Sequence, residues 1–288
     1  MVIGISTLVF GEEKRLLTLE EVKIIAETGM KYFELSDSHD VNSGILNVLK
    51  QNGIGIFSIH AEYLGADLSG ADQDKRIKGI DYAKKGIDKI KRLGGNIIVI
   101  HPGGWYGDKK EEENRLKNCI NSLVEITEYG NSKKIKVAIE NLPPGFLGDK
   151  PGVLKTILSE VRSITGLNKE IGICLDTGHA LLTGNLFEYL ELFSDDIINM
   201  HLHDNIGNSN RDKLLALDDI HRPPGHGLIN WEKFFKRLYE IKYDGSLMFE
   251  LKSDSIEGKD WKYVLNKALK FVESEDFFTG GKILQTRS

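Results

Sequence analysis

The chain has 288 residues, 40% of them hydrophobic and 28% charged, and a formal net charge of −5. That length holds one large domain or two small ones, with enough apolar residues for a sizeable core. The acidic balance argues against a broad nucleic-acid surface, leaving room only for a local basic patch. Met1 leads straight into V-I-G-I-S, and no apolar run approaches the 18 residues of a membrane span, so a cytoplasmic protein without membrane contact is expected. The two cysteines, Cys119 and Cys174, are far apart in segments read as helix and strand, and are expected to be reduced core residues.

In chain order, the first apolar strand is Val2 to Ser6. Thr18 then caps a helix, with Glu20 and Glu21 in its first turn and Gly29 past its end. A second strand, Tyr32 to Ser36, is followed by a helix from about Ser43 to Gln51, and a third strand spans Ile56 to His60. The next helix runs from about Asp74 to Leu93, with Ile77, Ile80, Ala83, Ile87 and Ile90 spaced by threes and fours. Strand four, Asn96 to His101, opens into the turn P-G-G-W-Y-G, and a helix from about Lys110 to Tyr129 leads to strand five, Ile135 to Glu140. After N-L-P-P-G-F-L-G-D come a helix over about Pro151 to Val161 and strand six, Ile171 to Leu175. A short helix near Leu186 to Phe193 precedes strand seven, Ile197 to His201. The loop from Asp204 to Gly227 is long, and loops of that length are more often functional than idle. A helix over about Trp231 to Ile241, strand eight at Ser246 to Glu250 and a helix over about Trp261 to Val272 complete the pattern. Eight strands alternating with eight helices predict a single-domain (β/α)₈ barrel over residues 1–272, with 273–288 as a tail. An open doubly wound sheet is the rival, but no G-x-G-x-x-G follows the first strand.

In such a barrel the active site lies at the C-terminal strand ends. Strands three, four and five end in His60, His101 and Glu140. Strand six is followed by Asp176 and His179, and strand seven ends in His201. The loop beyond carries Asp219 and His221 as D-x-H, and strand eight ends in Glu250. A lone histidine after a strand is more often a hydrogen-bonded wall residue than a ligand, and Asp176 before T-G-H also reads as a helix cap. Glu140 and Glu250 are harder to dismiss, since a buried carboxylate needs a partner and a metal is the simplest one. Nine such groups at one barrel face predict a metal site. Mixed imidazole and carboxylate donors suit Zn²⁺, Mn²⁺, Co²⁺ or Fe²⁺ better than Ca²⁺.

The segments S-I-H-A-E-Y, V-I-H-P-G-G, A-I-E-N, I-C-L-D-T-G-H-A, N-M-H-L-H-D-N, D-D-I-H-R-P-P-G-H-G-L-I-N-W and M-F-E-L-K together resemble the xylose isomerase-like TIM barrels. That superfamily holds sugar (phosphate) isomerases and epimerases as well as the endonuclease IV repair enzymes. The isomerase resemblance implies one divalent metal on Glu140, Asp176, His201 and Glu250, with the two glutamates as catalytic acid and base beside a carbonyl. The endonuclease resemblance implies up to three zinc ions, with His60, His101, His179, Asp219 and His221 as further ligands, and a nucleic-acid partner.

The first strand, I-G-I-S-T, lacks the Gly-x-His-x-Ser opening associated with the endonucleases. R-P-P-G-H-G-L-I-N-W resembles the P-G-x-G-x-I-D-W stretch of isomerase-like members. With the acidic charge, these features put a sugar or sugar phosphate isomerase or epimerase first and an endonuclease IV-like phosphodiester hydrolase second. Dehydration of a polyhydroxylated ring and a binding protein on a decayed barrel stand behind both. Trp105, Arg222 and Lys252 are candidate substrate contacts, with Tyr106 beside the first. His203 is expected to support the ligands, Glu34 to orient one, and His39 and His226 have no assignment. A homo-oligomer stays open.

Overall fold

The strands are buried on both faces, so each needs cover on both. The computed structural model describes residues 1–105, 111–206, 216–252 and 261–274. Its eight barrel strands are β1 (Val2–Ser6), β3 (Tyr32–Leu35), β5 (Gly55–His60), β6 (Ile97–Ile100), β7 (Lys136–Glu140), β8 (Ile171–Asp176), β9 (Ile197–Leu202) and β10 (Ser246–Phe249). They pair in parallel in the closed order β1-β10-β9-β8-β7-β6-β5-β3, as expected of the (β/α)₈ barrel. The helices are α1 (Leu19–Glu27), α2 (Ser43–Gln51), α3 (Gln73–Leu93), α4 (Glu112–Lys133), α5 (Pro151–Thr165), α6 (Thr177–Thr183), α7 (Leu186–Leu192), α8 (Trp231–Glu240) and α9 (Trp261–Ser274). No described helix is long and apolar enough to cross a membrane.

Two elements go beyond the sequence expectation. Short strands β2 (Arg15–Leu16) and β4 (His39–Asp40) form a separate ribbon that ties the loops after β1 and β3. The segment after β8 is two helices rather than one. Helix α6 starts at Thr177, capped by Asp176, whose carboxylate accepts from His179 N at 2.7 Å. Where Thr18 was expected to cap, it does, in a reciprocal box with Glu21. Cys119 and Cys174 are free and buried. From 275 onward the expected tail lies outside the described residues, as does Tyr106.

Side-chain alternation then places the site. Ile98, Ile100, Val137, Ile139, Ile173 and Leu175 join the large core, while Ile97, Val99, Ala138 and Cys174 form a separate small cluster. Glu140 and Asp176 have the parity of Ala138 and Cys174, so they belong to the inward-facing set. By the same period, β5 sends in Ser58 and His60, β9 Asn199 and His201, and β10 Ser246 and Met248. Glu250 follows β10, where its N–H still donates to Leu202 O at 3.2 Å, so it continues the inward row. In register, Asp176 lies beside His201.

Candidate metal centre

All nine candidate groups converge as three sets of ligand atoms, each set within 4.8 Å, with Glu140 shared by two sets: His60, His101 and Glu140; Glu140, Asp176, His201 and Glu250; and His179, Asp219 and His221, joined by His203. His60 Nε2 and His101 Nε2 lie 3.1 and 3.2 Å from Glu140 Oε2. On the other oxygen, Glu140 Oε1 lies 3.0 Å from His201 Nδ1, which is also 3.3 Å from Glu250 Oε2 and 3.8 Å from Asp176 Oδ2. Asp219 Oδ2 lies 3.3 Å from His179 Nε2 and 3.0 Å from His221 Nε2.

The far side of each ring explains what these short distances require. The Nδ1–H groups of His60, His179 and His221 donate to the carbonyls of Ala61, Asn141 and Glu250 at 3.0, 2.9 and 3.0 Å. A carbonyl only accepts, so in the neutral ring Nε2 carries a lone pair. That lone pair faces a carboxylate oxygen, and two acceptors this close need a cation between them, a proton or a metal. Tetrahedral zinc at about 2.0–2.2 Å from nitrogen and oxygen sets its donors roughly 3.3 Å apart, so the donor set fits a divalent ion of this kind. Carbonyl partners on the remote nitrogen are the usual support of a metal-bound imidazole.

The protonation pattern follows from the same contacts. Burial would raise the Glu140 carboxyl, yet the His201, His101 and His60 rings hold it well below the usual carboxylate range. Burial disfavours the charged form of His60 and His179, but Glu140 raises the first to about 9, and Asp176 and Asp219 raise the second to about 10. Burial likewise works against ionised Glu250 and Asp219, and His201 for the former and His221 for the latter bring both down.

Several residues singled out weakly or not at all in the sequence hold this ring together. Asn141 bridges β7 and β8: its amide donates to Asp176 O at 3.0 Å and accepts from Asp176 N at 2.7 Å. Thr177 Oγ1 donates to His203 O at 2.8 Å and takes His203 N at 3.1 Å, joining β8 to β9. The signal was present in the letters E-N and D-T-G-H, which carry the brace beside the ligand. His203 lies with Nε2 2.8 Å from Asp176 Oδ1 and its ring stacked on His221 at 3.7 Å. Gly178 is required there, since a Cβ would sit 2.0 Å from the His203 ring. Glu34 is fully buried and accepts from Ser58 Oγ at 2.7 Å and Asn199 Nδ2 at 3.1 Å. Its other oxygen lies 2.9 Å from His201 Nε2.

The centre opens into a cavity of about 480 Å³, walled by Leu8, Tyr63, Phe146 and Lys252 among others. Glu12, Asp37, Glu62 and Asp67 also line it, against Lys14 and Lys252, with no arginine among the described lining residues. Lys14 pairs with Glu62, and Arg115 with Asp67 at 2.9 Å. Of the three expected substrate contacts, Lys252 lines the cavity, with Nζ 3.8 Å from Asp219 Oδ2. Trp105 is exposed beside it, edge-on to Phe146 at 5.5 Å between centroids. Arg222 pairs through its backbone with Asp204, and neither Trp105 nor Arg222 is among the lining residues.

Comparison with known proteins places this arrangement. The family described as xylose isomerase-like TIM barrel matches residues 22–275. An uncharacterised protein of Methanocaldococcus jannaschii is 29% identical, over 96% of this chain and 92% of its own. A probable endonuclease 4 of Acholeplasma laidlawii is 24% identical, over 67% of this chain and 66% of its own. Among solved structures, a D-tagatose 3-epimerase-like protein is 26% identical and superposes with a TM-score of 0.74, covering 96% of this chain and 99% of that one.

Proposed function

Since the chain belongs to the xylose isomerase-like TIM barrel family, we propose that it is a divalent-metal-dependent isomerase or epimerase of a sugar or sugar phosphate, acting by proton transfer next to a carbonyl. The observation that carries this reading is the convergence of Glu140 and Glu250 on one imidazole nitrogen, His201 Nδ1, from either side at the floor of a small-molecule-sized cavity. A divalent ion on Glu140, Asp176, His201 and Glu250 supplies Lewis-acid polarisation of a substrate oxygen. The two glutamates are the groups that take a proton from one carbon and return one, with their own pKa set by the surrounding rings. Lys252 at the wall faces the substrate's oxygens, and the apolar wall of Leu8, Tyr63 and Phe146 excludes water from the reacting carbon.

The coverage of the comparisons supports the same reading. The epimerase-like structure matches nearly end to end, whereas the endonuclease leaves about a third of its length unmatched. Among the described residues the mouth is acid-lined and carries no arginine, a poor fit to a nucleic-acid backbone. One observation favours a second reading, an endonuclease IV-like phosphodiester hydrolase: all nine ligand-type residues are assembled, and Glu140 is shared between two groups.

Two measurements separate the readings. Elemental analysis of purified protein is expected to give about one zinc, manganese or cobalt per chain; close to three favours the hydrolase. Solvent deuterium is expected to enter ketoses at the carbon beside the carbonyl, with abasic DNA left intact. Cleavage of that DNA without exchange overturns the isomerase reading.

A further inference from the structure

The D-x-H pair does not sit on a strand, and its backbone is unusual. His221 has φ +48°, in the left-handed region that a residue with a side chain enters at a cost. It is nonetheless buried, and its ring meets Asp219, His203 and the Glu250 carbonyl. Something must hold it there. The described contacts point to one side chain. Asn205 is fully buried at the end of β9. Its Oδ1 accepts from Ile220 N at 2.8 Å and from His221 N at 3.2 Å. Its Nδ2 donates to Asp219 Oδ1 at 3.3 Å, leaving Oδ2 turned to the two imidazoles.

Asp204 fixes Asn205 in turn. Its backbone exchanges hydrogen bonds with Arg222 at 2.7 and 2.8 Å. Its carboxylate accepts from Asn205 N, Gly225 N, Ile229 N and Trp231 Nε1, between 2.8 and 3.2 Å. Gly227 is small for the same reason, because a Cβ would lie 2.2 Å from Asp204 Oδ1. The P-P-G-H-G-L-I-N-W stretch is thus wrapped around the Asp204 carboxylate, and the turn before it around the Asn205 amide.

We propose that Asn205 is a positioning residue for the Asp219–His221 pair. It holds the strained turn so that one oxygen of Asp219 and Nε2 of His221 face His179, and it orients Asp219 by occupying the other oxygen. Through the stacked His203 ring, the same amide braces Asp176. No described strand contains Asp219 or His221; just past β10, Lys252 N donates to His221 O at 3.4 Å and Glu250 O accepts from the His221 ring.

The test compares N205A and N205D with the wild type in two ways. The first readout is the ring ¹H–¹⁵N signals of His221, assigned with H221Q. They report ring placement whatever the metal content, so this readout is independent of the function proposed above. N205A is expected to shift them and N205D, which keeps the accepting oxygen, to return them toward the wild-type positions. The second readout, which rests on the metal-centre reading, is zinc retained against a chelator. N205A is expected to lower it roughly ten- to a hundred-fold, the usual range for partners of metal ligands. His221 signals in N205A that coincide with wild type overturn the proposal. If N205A does not fold, N205D decides through its lost donor to Asp219: weaker zinc retention in a folded protein supports the role, and wild-type retention overturns it. A wild-type protein that holds no zinc defeats the function reading, and the His221 signals still decide this one.

Discussion

Six of the nine candidate ligands divide between two kinds of support. Glu140, Asp176 and His201 lie on β7, β8 and β9, with Glu250 one ladder bond beyond β10, so their spacing follows from strand register. Asp219 and His221 lie on a loop, where Asn205 and Asp204 hold the turn, His221 is itself left-handed, and Lys252 N and Glu250 O meet it from past β10. The barrel places these four candidate ligands, Glu140, Asp176, His201 and Glu250, as a consequence of its own hydrogen bonding; Asp219 and His221 need a dedicated clamp.

The largest expected effect lies on the strand-borne side. Glu140→Gln removes a charge that faces three imidazoles, and turnover is expected to fall by about 10³-fold or more, with metal content dropping in parallel. Circular dichroism checks that the barrel survives. Retained turnover in a folded variant breaks the assignment of Glu140 as acid or base. Next comes Asp219→Asn on the loop-borne side. Under the isomerase reading it costs about ten-fold, mainly in KM, because the pair then faces substrate. A loss as deep as that of Glu140→Gln means both halves hold the reacting ions, and the two supports serve one centre.

A stability effect tests the clamp itself. Asp204→Ala removes the carboxylate to which the buried N–H groups of Asn205, Ile229 and Trp231 donate. The expected cost is about 3 kcal/mol in denaturant unfolding. Metal on the strand-borne group is expected to remain.

The same division explains what was legible in the sequence. Period-2 patterning and strand ends told which residues share a face, so the strand-borne ligands and the barrel were readable from apolar runs ending in Glu, Asp or His. Helix α6 was not, because its apolar content is only A-L-L and its start coincides with the ligand Asp176. The ribbon β2–β4 was hidden because two residues per strand leave no period to read. Asn205 and Asp204 were visible as D-N after the seventh strand, but their partners lie 14 to 27 positions away, and no local pattern encodes such a bond.

The smallest effect concerns the β2–β4 ribbon, also built from loop segments, beside the mouth. His39 is buried there, 2.9 Å from Ser36 Oγ, with Nε2 lacking a hydrogen bond. Burial, then Arg15, lowers its pKa to about 4; Glu21 and Asp37 act the other way, and Lys89 adds to the lowering. The unfolded chain, at about 6.5, therefore binds this proton first as pH falls. The contribution is complete above pH 6.5 and is lost as pH drops from there through about 4. Folding stability is expected to decline in that window by about 2 kcal/mol on account of this one ring. In His39→Asn, the slope of unfolding free energy against pH should be shallower by up to about 1.4 kcal/mol per pH unit, the value for one proton. Equal slopes in the two proteins mean that the ribbon opens to admit the charge, so that this side of the mouth, unlike the clamped Asp219–His221 turn, is held loosely.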